Sequence, residues 1–596
     1  MSTRVCMGNE AIALGAIRAG VRVVAGYPGT PSTEIIETFV HEKAPGVNVQ
    51  WSTNEKVALE VAAGAAYSGA RALVTMKQMG LNVATDPLMC LSYIGVKGGL
   101  VLAVADDPGP WSSQTEQDTR DFAKHANLPV LDPSSAEEAY EMTQEAFELS
   151  EEFALPVILR PTTRVCHASA TVELGEATPQ PPVAGFEKRP EWCIFPALSY
   201  KKHGELEVKQ HKIAEKFETS KFNRIDRGGN KGVAASGIAY LYAKEVIDEY
   251  QLEVTLFKVG TPYPMPENLS KEFLSRVKSV LVLEELDPVV EEALLAVSNG
   301  QTPVYGKHTG NLPWNGEYSY ELVRKALFDY LDAKVPEVPG VELPEMPKRP
   351  PVLCAGCPHR ASFYAAKVAT RHYPKAVYCG DIGCYTLGNA APLNMTDTCL
   401  CMGAGITVAQ GIALAEPGTK CLAFIGDSTF FHTGIPGVIN AVYQNIDITV
   451  VVLDNHTTAM TGHQPHPGTG KNAMGEPAKA LDIETMLKAC GIEEIYTVNP
   501  FDFDASVEAF KKAVEHKGPS AVITKAPCIA QMKRPATVHR VNESCIGCLK
   551  CIKEVGCPAM TPENGKVVIN ESLCTDCSLC ANVCPVGAIK RGERHA

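Results

Sequence analysis

Two stretches of sequence decide the fold, and they read Phe424-Ile-Gly-Asp-Ser-Thr-Phe-Phe431 and Thr449-Val-Val-Val-Leu-Asp-Asn-His-Thr-Thr-Ala459. Both begin as apolar runs of the kind that forms strands buried on both faces of a parallel sheet. The expected strands, residues 422–425 and 448–453, end in Gly426-Asp427 and in Asp454-Asn455. Between Asp427 and Asn455 lie 27 residues, enough for one crossover helix, which residues 434–444 could supply. The two stretches therefore predict neighbouring parallel strands of an α/β domain.

Polar side chains at these two strand ends predict a ligand site. In a parallel sheet both ends open onto the same crevice, where ligands of open α/β sheets bind. Asp427 and Asn455 offer oxygen donors that suit a Mg²⁺ ion with diphosphate oxygens among its ligands. The pattern resembles the diphosphate–metal motif of thiamine diphosphate (TPP) enzymes, Gly-Asp-Gly with a later Asn, except that Ser428 replaces the second Gly. The alternative is two ordinary strand-ending turns with a capping Asp.

Whole-chain composition narrows the class of protein. A chain of 596 residues predicts about three to five domains, each able to bury its own core. The net charge of −13 argues against a nucleic-acid partner, which normally shows a basic footprint. No run of about 18 apolar residues is present, so no membrane span is expected. The start of the chain lacks an apolar signal core, which predicts a cytoplasmic protein.

The first 175 residues are predicted to form a doubly wound α/β domain. Apolar strands are expected at residues 21–25, 72–76, 99–105 and 155–159. Ser32 is placed to cap a helix that begins near Glu34. An Ala- and Gly-rich helix is expected over residues 55–68, where small side chains let the backbone pack closely on a sheet.

The remaining chain divides at proline-rich segments. Residues 176–230 read as a linker that starts near Pro179 and carries an exposed, Lys-rich helix and a turn at Gly228-Gly229, without a β pattern. Strand and helix patterns then predict a second α/β domain at 231–334, a stiff proline-rich linker at 335–351 and a third α/β domain at 352–530. A small domain at 535–596 closes the chain and contains the only internal repeat that the sequence shows.

Cysteine is concentrated in that last domain, because eight of the 21 cysteines fall within the final 52 residues. They form a doubled Cys-x-x-Cys-x-x-Cys pattern followed by Cys-Pro, the spacing of two-cluster bacterial ferredoxins. Each loop gives three thiolates to one [4Fe–4S] cluster and its fourth Cys to the other. The predicted ligands are Cys545, Cys548, Cys551 and Cys584 for one cluster, and Cys557, Cys574, Cys577 and Cys580 for the second. Five residues, not the usual three, separate Cys551 from Cys557; zinc sites or free thiols are the alternatives.

Over essentially its whole length the sequence resembles the 2-oxoacid:ferredoxin oxidoreductase family, in which Ser428 is usual for this branch. The motifs that carry the resemblance, beside the two opening stretches, are Cys354-Ala-Gly-Cys-Pro-His-Arg360, Gly380-Asp-Ile-Gly-Cys-Tyr-Thr-Leu-Gly388 and Cys401-Met-Gly-Ala404. The resemblance implies an α/β protein with three doubly wound domains: pyrimidine-binding, transketolase C-terminal-like and diphosphate-binding. A small α+β two-cluster ferredoxin domain follows them.

The resemblance also implies roles for individual residues. Glu55 matches the carboxylate that hydrogen-bonds N1′ of TPP, although a Glu at a helix start is also an ordinary cap. Thr30 matches a turn Thr that faces the keto acid, with a plain turn residue as the alternative. The cofactor-binding residues would be Gly426, Asp427, Ser428, Asn455, Thr457, Met402, Gly403 and His359, of which Asp427, Asn455 and the backbone oxygen of Thr457 would bind Mg²⁺. His463 and His466 are further pocket candidates, and each histidine, like Met402, has a structural alternative.

A third [4Fe–4S] cluster is implied by four cysteines outside the tail. Cys354, Cys357, Cys384 and Cys528 match positions that hold a cluster close to TPP in related oxidoreductases. The alternative is four thiols in a cysteine-rich core.

The implied activity is oxidative decarboxylation of indolepyruvate or another aryl pyruvate, with coenzyme A as acyl acceptor and ferredoxin as electron acceptor. A separate small beta subunit is expected, in a heterotetramer of two alpha and two beta chains. The alternatives are a non-oxidative TPP-dependent decarboxylase or synthase with a structural iron–sulfur tail, and an electron-transfer protein whose α/β domains are only a scaffold.

Overall fold

The computed structural model describes residues 2–176, 180–336, 344–347 and 350–594. The chain forms two compact units, Met1–Glu342 and Leu343–Ala596. Within the described ranges no helix combines the length and apolar character that a membrane crossing needs. The predicted proline-rich linker at 335–351 falls largely outside the described residues, as does the predicted linker start at Pro179.

The N-terminal unit begins with a six-stranded parallel sheet, the first sheet. Its strands, in spatial order, are Asn48–Trp51, Val23–Gly26, Ala72–Lys77, Leu100–Ala105, Val157–Leu159 and Val130–Leu131. The helices are Gly8–Arg18, Thr33–Glu42, Glu55–Tyr67, Gln78–Ile94, Thr119–Ala126, Ala136–Phe153 and Thr163–His167. The four predicted strands and the Ala-rich helix are confirmed with small shifts at their ends. Two short strands and the antiparallel pair Ser2–Met7 with Ser169–Leu174 were not predicted.

The predicted cap at Ser32 is wrong in its bonding. Ser32 does occupy the N-cap position of helix Thr33–Glu42, but its side chain accepts no hydrogen bond from the helix. Its hydroxyl instead donates to the carbonyl of Gly29 at 2.9 Å, and Thr33 Oγ1 accepts from the Gly29 N–H at 3.0 Å. Both hydroxyls therefore hold the turn that carries Thr30.

The predicted charged linker is more ordered than its composition suggested. A short 3₁₀ helix, Pro190–Trp192, precedes helix Pro196–Phe217, and one face of that helix packs into the core of the first sheet through Leu206, Ile213 and Phe217. These three apolar residues stand among many lysines and glutamates, so the buried face of the helix was not predicted from the sequence. The prediction of no β structure is also wrong, because Arg224–Asp226 forms an antiparallel edge strand.

That edge strand belongs to a five-stranded second sheet. Its spatial order is Val304–Tyr305, Ser279–Leu283, Lys231–Ala235, Thr255–Lys258 and Arg224–Asp226. The accompanying helices are Gly237–Glu249, Glu267–Ser275, Val289–Ser298 and Tyr320–Tyr330. These strands and helices agree with the α/β pattern predicted for residues 231–334.

Buried charges connect the first and second sheets inside this unit. The guanidinium of Arg120 lies 2.6 Å from Asp118 and 2.7 Å from Glu284, and none of the three side chains is more than 2% exposed. Arg120 also donates to the carbonyls of Glu285 and Asp287, both at 2.8 Å. Paired and hydrogen-bonded in this way, a buried charge keeps enough partners to stay ionised.

The C-terminal unit contains a third sheet of six parallel strands. In spatial order they are Thr398–Cys399, Ala376–Gly380, Lys420–Gly426, Thr449–Asp454, Ser520–Lys525 and Glu494–Val498. The helices are Pro358–Thr370, Ala404–Ala415, Asp427–Thr429, Ile435–Tyr443, Ile483–Ala489 and Phe503–Glu515, with a π-helical turn at Phe430–Gly434 and 3₁₀ turns at Cys384–Asn389, Ala459–Thr461 and Ile529–Gln531. The two strands and the crossover helix predicted from the opening stretches are confirmed.

The first and third sheets share one topology. Numbered along the chain, the six strands of each sheet lie in the spatial order 2-1-3-4-6-5. The sequence showed a repeat only in the tail, so this larger repeat is one of strand order without visible sequence similarity. In both sheets the chain changes direction between its first and third strands, and the loops at this switch point are where ligands of such sheets bind.

The tail is a small α+β fold in the same unit as the third sheet. Strand Thr537–Val541 pairs with Ile589–Glu593, and Met560–Glu563 pairs with Lys566–Ile569. Two short helices, Lys550–Val555 and Leu579–Val583, follow the two cysteine loops. The α+β prediction for this segment is confirmed.

Candidate functional site

Asp427 is the centre of a hydrogen-bond cluster at the carboxyl end of the third sheet. Its Oδ1 accepts from the N–H of Ser428 at 2.8 Å, and its Oδ2 accepts from the N–H groups of Asn455 and Thr457, both at 3.2 Å. His466 Nε2 lies 3.1 Å from Oδ2. Burial alone would raise the pKa of Asp427, but the hydrogen bond from His466 and the other donors outweigh it and lower the pKa. The carboxylate is therefore ionised at neutral pH.

Asn455 and His359 complete this cluster from a neighbouring strand end and from helix Pro358–Thr370. His359 Nε2 lies 3.2 Å from Asn455 Nδ2, and burial lowers the pKa of His359 to about 4. The ring is therefore neutral at pH 7, and its Nε2 accepts from the amide. This orients the Asn455 side-chain oxygen away from His359, toward the N–H of Thr457 at 3.2 Å.

Of the other residues predicted near the third sheet, Ser428 and His466 belong to the Asp427 cluster and His463 lies outside it. Ser428 is buried and its hydroxyl accepts from Thr458 Oγ1 at 3.0 Å. His466 also accepts a hydrogen bond at Nδ1 from the Gly468 N–H at 3.1 Å, so Nε2 carries the proton that points to Asp427. His463 does not contact Asp427 through any hydrogen bond of the described residues.

A buried acid that sequence reasoning passed over holds the Met402-Gly403 turn. Asp381 Oδ2 accepts from the Gly403 N–H at 2.9 Å, and Tyr385 donates its hydroxyl to the same carboxyl group. Burial raises the pKa of Asp381 to about 8. Gly403 has φ of +81°, and an added Cβ there would lie 2.4 Å from Thr433 Oγ1, so only glycine fits the turn. The signal was present in the quoted Gly380-Asp-Ile-Gly motif, directly after a strand.

In the N-terminal unit, Glu55 begins helix Glu55–Tyr67 at the carboxyl end of strand Asn48–Trp51. Its N-cap is Asn54, whose side chain accepts from the Val57 N–H at 2.9 Å. The N-cap is therefore Asn54, and Glu55 follows it as the acidic residue of the first helical turn. Glu55 is 6% exposed and packs against Gly80, where a Cβ would lie 2.6 Å from Glu55 Oε1.

Thr30 lies at the neighbouring strand end and is tied to two residues that the sequence did not single out. Ser112 Oγ donates to the Thr30 carbonyl at 2.9 Å, and Lys77 Nζ donates to the Ser112 carbonyl at 3.4 Å. Burial lowers the pKa of Lys77, and the carboxylates of Asp107 and Glu55 partly oppose the shift. Glu55, Thr30 and Lys77 thus meet at the switch point of the first sheet, because three adjacent strands end there.

The eight tail cysteines line two separate cavities. The first is lined by Cys545, Cys548, Cys551 and Cys584, and the second by Cys557, Cys574, Cys577 and Cys580. These are the two sets that the ferredoxin spacing predicts. Among the described residues no group of three or more His, Cys, Asp or Glu side chains is placed to hold a single metal ion. Four sulfurs around a cavity suit a cubane, in which each thiolate binds its own iron.

The enlarged loop before Cys557 does not remove that cysteine from its cavity. The extra residues lengthen helix Lys550–Val555, which Gly556 ends in a left-handed conformation with φ of +60°. Cys557 then reaches the second cavity, as Cys584 reaches the first from its shorter loop.

The four cysteines of the predicted third set lie near one another. Burial raises the pKa of Cys384 to about 11, and the sulfurs of Cys528 and Cys354 add to the shift; burial likewise raises the pKa of Cys357 to about 12. The Cys528 N–H donates to the carbonyl of Asn455 at 3.0 Å, so this set adjoins the Asp427 cluster. Thiols that oppose each other's ionisation in this way are the kind that a cationic iron centre would stabilise as thiolates.

Three family models match parts of this chain. "Pyruvate flavodoxin/ferredoxin oxidoreductase, thiamine diP-bdg" matches residues 14–199, and "Thiamine pyrophosphate enzyme, C-terminal TPP binding domain" matches residues 381–524. "4Fe-4S binding domain" matches residues 567–590.

Curated relatives extend the match to the whole chain. The indolepyruvate oxidoreductase subunit IorA of Archaeoglobus fulgidus is 43% identical over 99% of this chain and 97% of its own length. The protein of the same name from Methanothermobacter marburgensis is 44% identical with the same coverage. The chain belongs to the indolepyruvate oxidoreductase subunit IorA family.

A solved structure of 2-oxoglutarate:ferredoxin oxidoreductase from Magnetococcus marinus, with 2-oxoglutarate, coenzyme A and succinyl-CoA bound, matches with a TM-score of 0.44 and 18% identity. It covers 55% of this IorA-family chain and 65% of its own, a likeness too distant to transfer any feature.

The family models place the two polar clusters of this IorA-family chain in cofactor-binding segments. Asp427, Asn455 and Asp381 fall within the C-terminal TPP-binding match, and Thr30 and Glu55 fall within the thiamine-diphosphate-binding match. The fold is therefore an α/β protein with parallel sheets, two TPP-binding segments and a [4Fe–4S] ferredoxin-type segment.

Proposed function

We propose that this chain is the TPP-binding, iron–sulfur subunit of an indolepyruvate ferredoxin oxidoreductase. The reaction is the oxidative decarboxylation of an aryl pyruvate with coenzyme A to aryl-acetyl-CoA and CO₂, with reduction of ferredoxin. The observation that carries the proposal is the similarity to IorA subunits over 99% of the chain, including both TPP-binding segments and the ferredoxin-type tail. A non-oxidative decarboxylase would have no redox use for the [4Fe–4S] ferredoxin-type segment.

The Asp427 cluster fits Mg²⁺ and a diphosphate. A carboxylate has about four acceptor positions, and four N–H donors already contact Asp427. We therefore expect Mg²⁺ to replace the imidazole of His466 at Asp427, because this donor belongs to a side chain, which can move aside. Asn455 Oδ1 and the backbone oxygen of Thr457 would supply further ligands, and Gly426, Ser428 and His359 would line the diphosphate.

TPP, when bound, supplies the electron sink for decarboxylation. This chain's own groups hold its ring and the substrate. Glu55, which is buried and packs against Gly80, would hydrogen-bond N1′ of the aminopyrimidine. In the C-terminal unit, Met402 and Gly403 would contact the pyrimidine side of TPP from a turn that Asp381 fixes. In the N-terminal unit, Thr30 would face the keto acid. The nearby ammonium of Lys77 would attract a substrate carboxylate.

The cysteine sets would hold three [4Fe–4S] clusters: one in each tail cavity and a third at Cys354, Cys357, Cys384 and Cys528. The Cys528 contact to Asn455 supports a third cluster close to the bound cofactor, from which electrons would leave one at a time. Residues 231–334 would be the transketolase C-terminal-like domain of the family, beside domains at 1–175, 352–530 and 535–596.

The partners follow from the relatives' names. A protein called a subunit acts with others, and we propose a small beta subunit in a heterotetramer of two alpha and two beta chains. Coenzyme A and ferredoxin would be the co-substrates.

The test is anaerobic purification with the beta subunit, followed by iron determination and a panel of keto acids. We expect viologen reduction that requires an aryl pyruvate and coenzyme A, with about twelve irons per chain if all three clusters are present. Release of an aldehyde without dye reduction would instead identify a non-oxidative decarboxylase. Unchanged turnover in Glu55→Gln would favour an electron-transfer scaffold.

A further inference from the structure

Three arginine side chains are almost completely buried among the described residues: Arg120, Arg160 and Arg360. The first two are surrounded by carboxylates, with Arg120 bonded to Asp118 and Glu284, and Arg160 to Asp106. Arg360 is 3% exposed and forms no ion pair with a carboxylate in the described part of the chain. A buried guanidinium without an anion is unfavourable, because its hydration is lost and nothing replaces the missing negative charge.

The contacts of Arg360 are neutral and tie three backbone segments together. Nη1 donates to the carbonyls of Val555 and Gly556, both at 2.8 Å, and Nη2 donates to the carbonyl of Leu353. Within the described residues Nε has no hydrogen-bond partner. The side chain thus fixes the backbone just before Cys557, and one buried N–H is still available to donate.

The groups that face Arg360 are sulfurs. Cys557 and Cys577 of the second tail cavity, and Cys354 and Cys357 of the proposed third set, lie close enough that their thiolate forms would act on its guanidinium. Residues Ala355 and Gly356 line the second cavity, and Gly356 donates its N–H to the Cys557 sulfur. Arg360 therefore lies where the second tail set and the third set come together.

We propose that Arg360 is the buried cation that balances the [4Fe–4S] cluster held by Cys557, Cys574, Cys577 and Cys580, fixes the loop that carries Cys557 and raises that cluster's reduction potential. The inference rests on the proposed function, since it requires the tail to carry clusters. A cluster with four thiolate ligands carries a net negative charge, which becomes more negative when it accepts an electron. A fixed positive charge beside it stabilises the reduced form more than the oxidised form.

The consequence concerns the relative reduction potentials of the proposed clusters. Of the two tail cavities, only the second is lined by residues of the 354–357 loop. Because Arg360 faces sulfurs of both the third set and the second tail set, its charge would favour an electron on either of these clusters over the first tail cluster. Arg360 would thus be a positioning and tuning residue rather than a group that touches the substrate.

The test compares Arg360→Met, Arg360→Gln and Arg360→Lys in the holoenzyme by EPR-monitored redox titration, beside iron content and thermal stability. Arg371→Met is the matched control, because it removes an exposed guanidinium from the end of the same helix. We expect the Met and Gln variants to lower the reduction potential of one cluster by at least 59 mV. For one electron, this corresponds to a tenfold change in the reduction equilibrium. Lys should recover at least half of that shift, and Arg371→Met should leave every potential unchanged.

Equal potentials in the parent and in Arg360→Gln would overturn the proposal. So would equal shifts in the Lys and Gln variants, since that result would mean displacement of the loop rather than loss of charge. If Arg360→Met does not bind its full iron complement, the Lys and Gln pair decides the matter alone. A parent protein without [4Fe–4S] EPR signals would instead refute the proposed function, and this is seen before any variant is made.

Discussion

The contact between Gly80 and Glu55 gives a direct test of whether the Glu55 carboxylate must be precisely held. Gly80 lies in the first turn of helix Gln78–Ile94. A Cβ added there would be 2.6 Å from Glu55 Oε1, 2.7 Å from its Cγ and 2.9 Å from its Cδ. Ordinary van der Waals contact begins at 3.4 Å. In Gly80→Ala the carboxylate must therefore retreat by the difference, about 0.8 Å.

A movement of that size is large for a catalytic group. Displacing a reacting group by about 1 Å can cost on the order of 100-fold in rate, so we expect kcat to fall about 10- to 100-fold. The fold itself should tolerate the change, because replacing Gly by Ala inside a helix stabilises it by up to about 1 kcal/mol, which offsets part of the clash. The loss should appear in kcat rather than in the KM for coenzyme A.

The assay is keto-acid-dependent viologen reduction by the holoenzyme, with the thermal midpoint measured in parallel. Gly64→Ala is the matched control, because Gly64 lies on the same helix as Glu55 and a Cβ there would meet nothing within 4 Å. Glu55→Gln sets the scale for complete loss of the carboxylate. If Gly80→Ala turned over as fast as Gly64→Ala while Glu55→Gln was slow, the position of Glu55 would not matter and the geometric reasoning would be wrong.

Three further predictions address the other sites. Asp427→Asn should abolish Mg²⁺-dependent TPP binding measured by calorimetry. Asp447→Asn is the control, because Asp447 is exposed and follows the crossover helix, and it should bind TPP as the parent does. Equal TPP affinities of the two variants would exclude Asp427 as a ligand. Asp381→Asn should gain stability relative to the parent as pH rises from about 4 to 8, by up to about 1.36 kcal/mol per unit. A carboxyl whose pKa is raised to about 8 by burial stabilises the fold only while protonated, and that contribution is lost as pH rises to its folded pKa; parallel stability curves for the two proteins would contradict this. Cys384→Ala should lose about four irons per chain if a third cluster is present, while the exposed Cys401→Ala should lose none, and unchanged iron in both would remove that cluster.

The parallel sheets and the tail could be predicted because their signals are local. The runs at 450–453 and 100–105 are apolar throughout, which indicates strands covered on both faces, and strand Thr449–Asp454 is buried along its whole length. The cysteine spacing likewise determined which four sulfurs would meet in each tail cavity. Helix Pro196–Phe217 was misjudged because most of its residues are polar, and a few apolar side chains are enough to fix a helix to a core.

The missed site residues have no such local signal. Lys77 is a strand-ending lysine, and only the fold shows that it lies beside Glu55 and Thr30. Asp381 and Arg360 stand inside motifs that were read for their cysteines and glycines. Their chemistry follows from burial, which depends on segments distant in sequence, as when Arg360 binds the backbone at Val555.

The buried arginine between the first two sheets has a practical consequence for dissecting the chain. Cutting near residue 230 would separate Arg120 from Glu284 and from the carbonyls that bind its guanidinium. The shortened protein would expose both buried charges and apolar surface. We therefore expect it to aggregate rather than to fold as an independent domain. Expression of the first TPP-binding segment as an autonomous piece should therefore keep residues 1–336 intact, and limited proteolysis of the full chain should release this part as one resistant fragment.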